Sequence, residues 1–375
     1  MLAPMRNLRP FRLERFFAQW EFRVQFLLSP SDCESLTLRE LLSLADADGH
    51  ERWERLALGY TESSGHPALR EEIARSYEAI GPENVLVLTP EEGIFLAMNA
   101  LLAPGDHVVA IAPAYQSLHE IALSIGCQVT SWNVVPAGDR WQLRREDLER
   151  SLTPRTRLLI VNFPHNPTGY MPTQEEWDGI LEIARSRDLI LFSDEMYRYL
   201  EHDEARRLPA ACDRYEKAVT LSGLSKSFAL PGLRIGWLAT RTSSLLERCT
   251  ELKDYTTICH SAPSEILALI ALRARTAITG RNRELVRENL AHARRFFAAH
   301  AAVRWLEPDG GSTVFPEWLG RGNVEAFCRA ALDQEGVLIV PGSMFGFEGP
   351  HFRLGLGRRN FAEGLERVRL LVDAG

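Results

Sequence analysis

The chain has 375 residues, 45% of them hydrophobic and 25% charged, which suits two packed domains or one large domain with a smaller companion. A net charge of −7 with no offsetting basic block argues against nucleic-acid or membrane-surface partners. No apolar run reaches the roughly 20 residues that span a bilayer.

The N-terminal stretch "MLAPMRNLRPFRLERFF" is arginine-rich, but it carries Glu14, lacks a long apolar core and shows no small-residue cleavage pattern. It reads as an ordinary arm and not as a transit peptide. From residue 84 short apolar runs alternate with amphipathic stretches. The runs "NVLVLT" (84–89), "HVVAIA" (107–112), "RLLIVN" (157–162), "LILFSD" (189–194), "AVTLS" (217–221) and "RIGWLAT" (234–240) read as buried strands. Helical patterns at 91–102, 174–187 and 243–253 lie after or between them. Strands separated by helices predict an α/β fold with a mainly parallel sheet covered on both faces, whose ligands bind at the carboxyl ends of the strands.

Beyond about residue 275 the texture changes. One long helical pattern fills 282–300, shorter runs follow at 336–343 and 351–357, and a helix ends the chain. These predict a smaller α+β domain that the N-terminal segment helps complete. The expected boundaries are 1–45 for the arm and its share of the small domain, 46–275 for the large domain and 276–375 for the small C-terminal domain. The six cysteines, at 33, 127, 212, 249, 259 and 328, show no CxxC spacing. They predict reduced thiols in a cytoplasm, with neither a disulfide framework nor a metal site.

Chemistry concentrates in a few short segments. In "LSGLSKSFALPGLRIGW" (221–237), Lys226 follows a strand inside a small-residue loop, and Arg234 comes eight residues later. A lysine so placed can form an imine with an aldehyde, and the arginine fork can grip a phosphate. "VNFPHNPTGY" (161–170) sets Asn166 between two prolines, "LFSDEMY" (191–197) puts Asp194 at a strand end with Tyr197 three residues on, and "APAY" (112–115) sets Tyr115 just past another strand. Singly, each reads as a turn residue, a cap or core packing. "TPEEGIFLA" (89–97) is a helix start: Thr89 caps it, Pro90 suits the first turn and Glu92 closes a capping box.

Together, in this order, the segments resemble the class I/II aminotransferase family, the aspartate aminotransferase-like fold type I enzymes that use pyridoxal 5′-phosphate. The resemblance runs from about Trp53 to Arg353. It implies a large domain with a seven-stranded sheet between helices, plus a smaller α+β domain. It also implies that Lys226 holds the cofactor as a Schiff base and moves a proton between Cα and C4′. Asp194 would bind the pyridine nitrogen, Asn166 and Tyr197 the phenolic oxygen, and Tyr115 the ring face. Ser225 and Arg234 would bind the phosphate. Tyr60, in "LGYTESSGHPALREEIA" (58–74), matches a tyrosine that reaches the neighbouring subunit's phosphate, which implies a homodimer. Arg353, in "PHFRLGLG" (350–357), matches the arginine that binds the substrate α-carboxylate.

Two segments depart from the family pattern. Relatives carry small residues before the phosphate helix, where this chain has Thr89-Pro90-Glu91. Pro90 has no N–H to give, so the donors left are chiefly the amides of Glu91 and Glu92. The Glu91 carboxylate either turns to solvent or faces a cationic substrate. The N-terminal segment "WEFRVQFLLSPSDCESLTLREL" (20–41) lacks the usual glycine and brings Glu21, Asp32 and Glu34, which would place negative charge near the substrate entrance. The pattern, with "KDYTT" (253–257), is similar to capreomycidine synthase-type enzymes.

The leading expectation is therefore an aminotransferase moving an amino group from an α-amino acid to a 2-oxo acid. The alternative is a lyase or cyclase acting on an arginine-derived amino acid, with capreomycidine- or enduracididine-type chemistry. A non-enzymatic regulator is disfavoured by the intact Lys226 constellation. A nicotinamide enzyme is disfavoured because the nearest glycine pattern, "RLGLGRRN" (353–360), lacks a βαβ setting.

Overall fold

The computed structural model describes residues 8–374, so the part of the arm that is Met1–Asn7 lies outside the described residues. Seven strands form the central sheet: β1 (Val85–Leu88), β2 (His107–Ala112), β3 (Gln128–Asn133), β4 (Thr156–Asn162), β5 (Ile190–Asp194), β6 (Ala218–Gly223) and β7 (Gly236–Ala239). Their order is β1-β7-β6-β5-β4-β2-β3. Only β7 runs antiparallel to its neighbours, as a hairpin-like return beside β6 and β1. The central strands are apolar throughout; Leu158–Val161 of β4 are fully buried, which is what a strand covered on both faces requires. Residues such as Leu158 and Ile160 feed one apolar cluster, and Leu159 and Val161 the cluster on the other face.

β3 has no counterpart among the strands expected from the sequence. It is an edge strand of mixed polarity, "QVTSWN", in which only Trp132 is buried, so it lacks the continuous apolar run of its neighbours. The long helix also differs, running Arg275–Ala299 where the pattern suggests 282–300. Its first turns hold Thr276, Ile278, Thr279 and Gly280, all poor helix formers, but burial of Ile278 outweighs that preference.

The N-terminal segment crosses to the C-terminal part of the chain. Phe26–Leu27 pairs in parallel with Val337–Leu338. The strand Phe352–Gly355 lies between Thr313–Val314 and Val340–Pro341, so the apolar run 336–343 is divided between two short pairings. The glycines of "RLGLG" permit this crossing. A Cβ on Gly355 would stand 1.9 Å from the Pro30 carbonyl oxygen, and one on Gly357 would stand 2.1 Å from that of Asp32. These glycines serve close backbone approach and not a dinucleotide. Among the described residues no helix is long and apolar enough to cross a membrane.

Candidate active site

A cavity of about 320 Å³ opens at the carboxyl ends of the parallel strands, the place where such sheets present loops to a ligand. The fold brings its walls together strand by strand. β5 ends on Asp194, and its register partner on β4 is Asn162. β6 runs into the loop holding Ser225 and Lys226, and Tyr115 follows β2 by three residues. Helix α1 (Arg12–Trp20) lies across the opening with Leu13, Glu14 and Phe17 on the cavity side, while helix α2 (Pro90–Leu101) brings its first turn to the rim. The lining includes Tyr115, Asn166, Asp194, Tyr197, Ser225, Lys226, Arg234, Glu91, Arg353, Asp32 and Glu21, which are thus neighbours in space.

The floor is a buried acid beside an amine. Asp194 is buried, and burial raises its carboxyl to about 7, against a bond from the Met196 N–H at 3.1 Å and the charge of Lys226. Its backbone carbonyl accepts from the Asn162 side chain at 3.0 Å, which locks the β4 and β5 ends together. A desolvated carboxyl of this kind favours a cationic partner that restores its charge. Lys226 is half-buried, and its Nζ donates to Ser31 Oγ at 3.1 Å. The Tyr197 hydroxyl donates to the same oxygen at 2.8 Å.

Pro90 fits the first turn of α2 because Gly236 of β7 leaves room for its ring; a Cβ there would stand 2.7 Å from Pro90 Cγ. The Thr89 N–H donates to Glu92 at 3.3 Å in the capping box, and the Thr89 hydroxyl donates to the Arg234 carbonyl at 3.1 Å. That second bond ties the helix start to the loop holding Arg234, a residue in the left-handed region at φ 55°. Glu92 is not a cavity residue. Its carboxylate is turned to the capping box and to the hydroxyls of Thr256 and Thr257, because it occupies the position that faces back along the helix.

Glu91 faces the cavity and not solvent. Ser117, at the start of helix α3 (Ser117–Ile125), donates to its carboxyl at 3.3 Å. Burial raises that carboxyl to about 7; Glu14 and Asp194 push the same way, while Ser117 and Arg234 oppose, and the phenol of Tyr115 also faces it. The unfolded chain releases this proton near 4.5, so the folded state loses stability as pH rises from there through about 7. In the cofactor-free protein, Glu91→Gln is expected to melt above the parent at pH 8, with the gap narrowing as pH falls and closing below about 4.5. A melting series over that range is the check, and parallel curves would refute the assignment.

At the far wall Arg353 is 1% exposed. Its Nε and Nη2 donate to the Ser29 carbonyl at 3.1 and 2.6 Å, and Nη1 donates to Asn166 Oδ1 at 2.9 Å. Its guanidinium lies 4.7 Å from the Phe345 ring centroid, and burial lowers its pKa to about 10. It has no ion-pair partner among the described residues, an arrangement that calls for an anionic ligand.

The three N-terminal acids separate. Glu21 lines the cavity with no ion-pair partner among the described residues, its carboxyl raised by burial, then by Asp32 and Glu14. Asp32 lines the cavity but is paired with Arg358 at 3.0 Å. Glu34 lies outside it: the chain turns away as the Glu34 N–H bonds the Gly357 carbonyl, and the carboxylate meets Arg359 at 3.4 Å. Tyr60 is also away from the cavity and 93% exposed.

Two cavity residues carried no signal in the sequence. Glu14 accepts from the Tyr115 hydroxyl at 2.6 Å, fastening α1 over the site, and Arg9 doubles the fastening through Glu120 of α3 at 2.8 and 2.9 Å. Ser31 receives both Lys226 and Tyr197. Neither belongs to a recognisable motif, and only the folding back of the arm places them here.

Known proteins share the sequence pattern and the fold. The family profile of class I and II aminotransferases matches residues 37–367. The chain is 30% identical to capreomycidine synthase from Streptomyces vinaceus over 338 residues, 89% of this chain and 86% of that protein. It is 31% identical to an arginine–pyruvate transaminase from Pseudomonas aeruginosa, over 83% of this chain and 81% of the relative. The crystal structure of a PLP-dependent aminotransferase from Streptococcus suis superposes with a TM-score of 0.91 at 29% identity, covering 98% of each chain. With its central sheet, its cavity at the strand ends and a match over most of its length, the chain belongs to the class I and II aminotransferases.

Proposed function

We propose that this site transfers an amino group from an α-amino acid to a 2-oxo acid with pyridoxal phosphate, and that Lys226 is the residue that carries the cofactor. The observation that carries the reading is the convergence of a buried acid, an amine and an unpaired buried guanidinium on one cavity. The donor set suits the cofactor. In this reading the Asp194 carboxyl meets a protonated ring nitrogen, Asn166 and Tyr197 the phenolic oxygen, and the Tyr115 ring stacks on the cofactor. Arg234 and Ser225 offer a cation and a hydroxyl to the phosphate. Bound there, the cofactor supplies an electron sink for negative charge at Cα.

The chain's own residues do the rest. Arg353 grips the α-carboxylate and so fixes which Cα bond faces Lys226. Lys226 takes the Cα proton and returns it on the other side of the transfer. Asp194 holds the proton of the ring nitrogen, and Leu13, Phe17 and Ile94 exclude water. A homodimer completes the reading, with Tyr60 contributed across the interface. Its support is the exposure of large apolar side chains at Leu58, Tyr60 and Tyr255. A cytoplasmic setting is part of the same reading, supported by six cysteines without a disulfide, five of them buried.

A second reading is favoured by the acidic wall. Glu21, with Glu14 and Asp32 near it, suits a cationic side chain, and an arginine-derived amino acid could undergo elimination and ring closure there in place of net transfer. The test is turnover of basic, acidic, aromatic and aliphatic amino acids with and without a 2-oxo acid. Transfer predicts strict dependence on the acceptor, parallel-line ping-pong kinetics and preference for basic substrates. Product from a hydroxyarginine without any acceptor would replace the first reading by the second.

A further inference from the structure

We propose that Ser31 is a positioning residue of this reaction: its hydroxyl, shared with Tyr197, holds the Lys226 amine in the direction of the substrate Cα. The inference rests on the proposed role of Lys226 and adds a residue to it. The Lys226 amine stands at the end of a flexible four-carbon stem, so its direction is set by the acceptor it finds. That acceptor is Ser31 Oγ at 3.1 Å, and Tyr197 donates to the same oxygen at 2.8 Å. In the cofactor-free chain the two donors use both lone pairs of the hydroxyl oxygen; were the Tyr197 O–H to turn to the cofactor's phenolic oxygen, Ser31 would remain the acceptor that directs the amine.

The backbone beneath Ser31 is held on every side. Its own carbonyl accepts from the Ser312 hydroxyl at 2.6 Å, the Ser29 carbonyl accepts from Arg353, and the Asp32 carbonyl accepts from Arg358 at 3.0 Å. Pro30 precedes it and fixes one dihedral. Ser31 is buried in the cavity wall. This is the supported arrangement that precise placement of a reacting group requires. The same segment links the two ends of the cavity, since Arg353 bonds Ser29 while Ser31 bonds Lys226. Substrate carboxylate and proton-transferring amine are therefore referred to one short stretch of chain.

The test compares wild type, Ser31→Ala and Ser31→Thr in two measurements. First, cofactor-free protein is mixed with pyridoxal phosphate, and the adduct on Lys226 is trapped with borohydride and located by peptide mass spectrometry. Second, turnover is measured with ordinary and Cα-deuterated amino acid. Misplacement of a reacting group by about 1 Å costs on the order of 100-fold. Ser31→Ala is expected to slow trapping about tenfold and kcat by roughly 30-fold, within that bound. KM should stay within about twofold and the deuterium effect on kcat should rise, as expected when only a transition-state interaction is lost. Ser31→Thr, which keeps the hydroxyl, should recover most of both rates. Unchanged trapping and isotope effect in Ser31→Ala would overturn the proposal, as would equal losses in both variants accompanied by a lower melting temperature. If wild type formed no adduct on Lys226, the proposed role of Lys226 would fall as well.

Discussion

Lys226→Ala is expected to abolish turnover while leaving a folded chain that still binds pyridoxal phosphate without a covalent bond. The side chain is half-buried and bonds only Ser31 among the described residues, so its removal opens space beside the cavity and not in the apolar core. The catalytic loss is large because, in the roles proposed for Lys226, two functions disappear together, the covalent hold on the cofactor and the base at Cα. General acid–base catalysis alone contributes about 10²–10⁴, so a fall of at least about 10⁴ follows when attachment is lost too. Arg234, Ser225 and Asp194, the cavity residues proposed to bind the cofactor, stay in place. The checks are the absence of the lysine-dependent visible band, retention of cofactor on equilibrium dialysis, and partial recovery with a small primary amine that fits the 320 Å³ cavity. Turnover above about one per cent of the parent would show that another group performs the proton transfer, since that is the scale of losing a modest catalytic aid.

The central sheet is legible in the sequence because its inner strands are buried on both faces. Continuous apolar runs such as "RLLIVN" and "LILFSD" become β4 and β5, and the polar residues at their ends line the candidate cavity. β3 escaped for the opposite reason, being an edge strand whose mixed polarity matches no single period. The same division holds in the cavity. Asp194, Asn166 and Lys226 lie in motifs next to strands, whereas Glu14 and Ser31 arrive from an arm whose path depends on contacts made more than 100 residues away. The acids of that arm show how far composition can be trusted. Glu21, Asp32 and Glu34 look alike in sequence, but the first lines the cavity with no ion-pair partner among the described residues, the second is paired with Arg358 and the third is turned outward to Arg359. Glu91 and Glu92 divide similarly, since successive residues on a helix face about 100° apart: one enters the cavity and the other caps the helix.

Arg353→Leu is expected to cost roughly 30- to 4000-fold in kcat/KM toward amino acids, the equivalent of the 2–5 kcal/mol lost when one member of a buried hydrogen-bonded charge pair is removed. The guanidinium has five N–H groups. Three are used, by the Ser29 carbonyl twice and by Asn166 once, which leaves one on each terminal nitrogen. Two such free donors on one guanidinium suit the oxygens of a carboxylate. Burial lowers the Arg353 pKa only to about 10, so the charge is present throughout the neutral range and its demand for an anion is constant there. Leucine would remove that demand and also leave Ser29 and Asn166 without a donor, at about 1–3 kcal/mol for each buried group so abandoned. A loss of activity alone would not separate these effects. The separating measurement compares an amino acid with the amine that lacks its carboxylate. Wild type should favour the amino acid strongly, and Arg353→Leu should lose that preference while its slow turnover of the amine stays within about threefold of the parent, a shift worth less than 1 kcal/mol. Arg353→Lys should fall between the two, because an ammonium supplies charge but not the planar fork. An equal loss on both substrates in Arg353→Leu would assign the residue to holding the 28–33 segment and leave the carboxylate to another group.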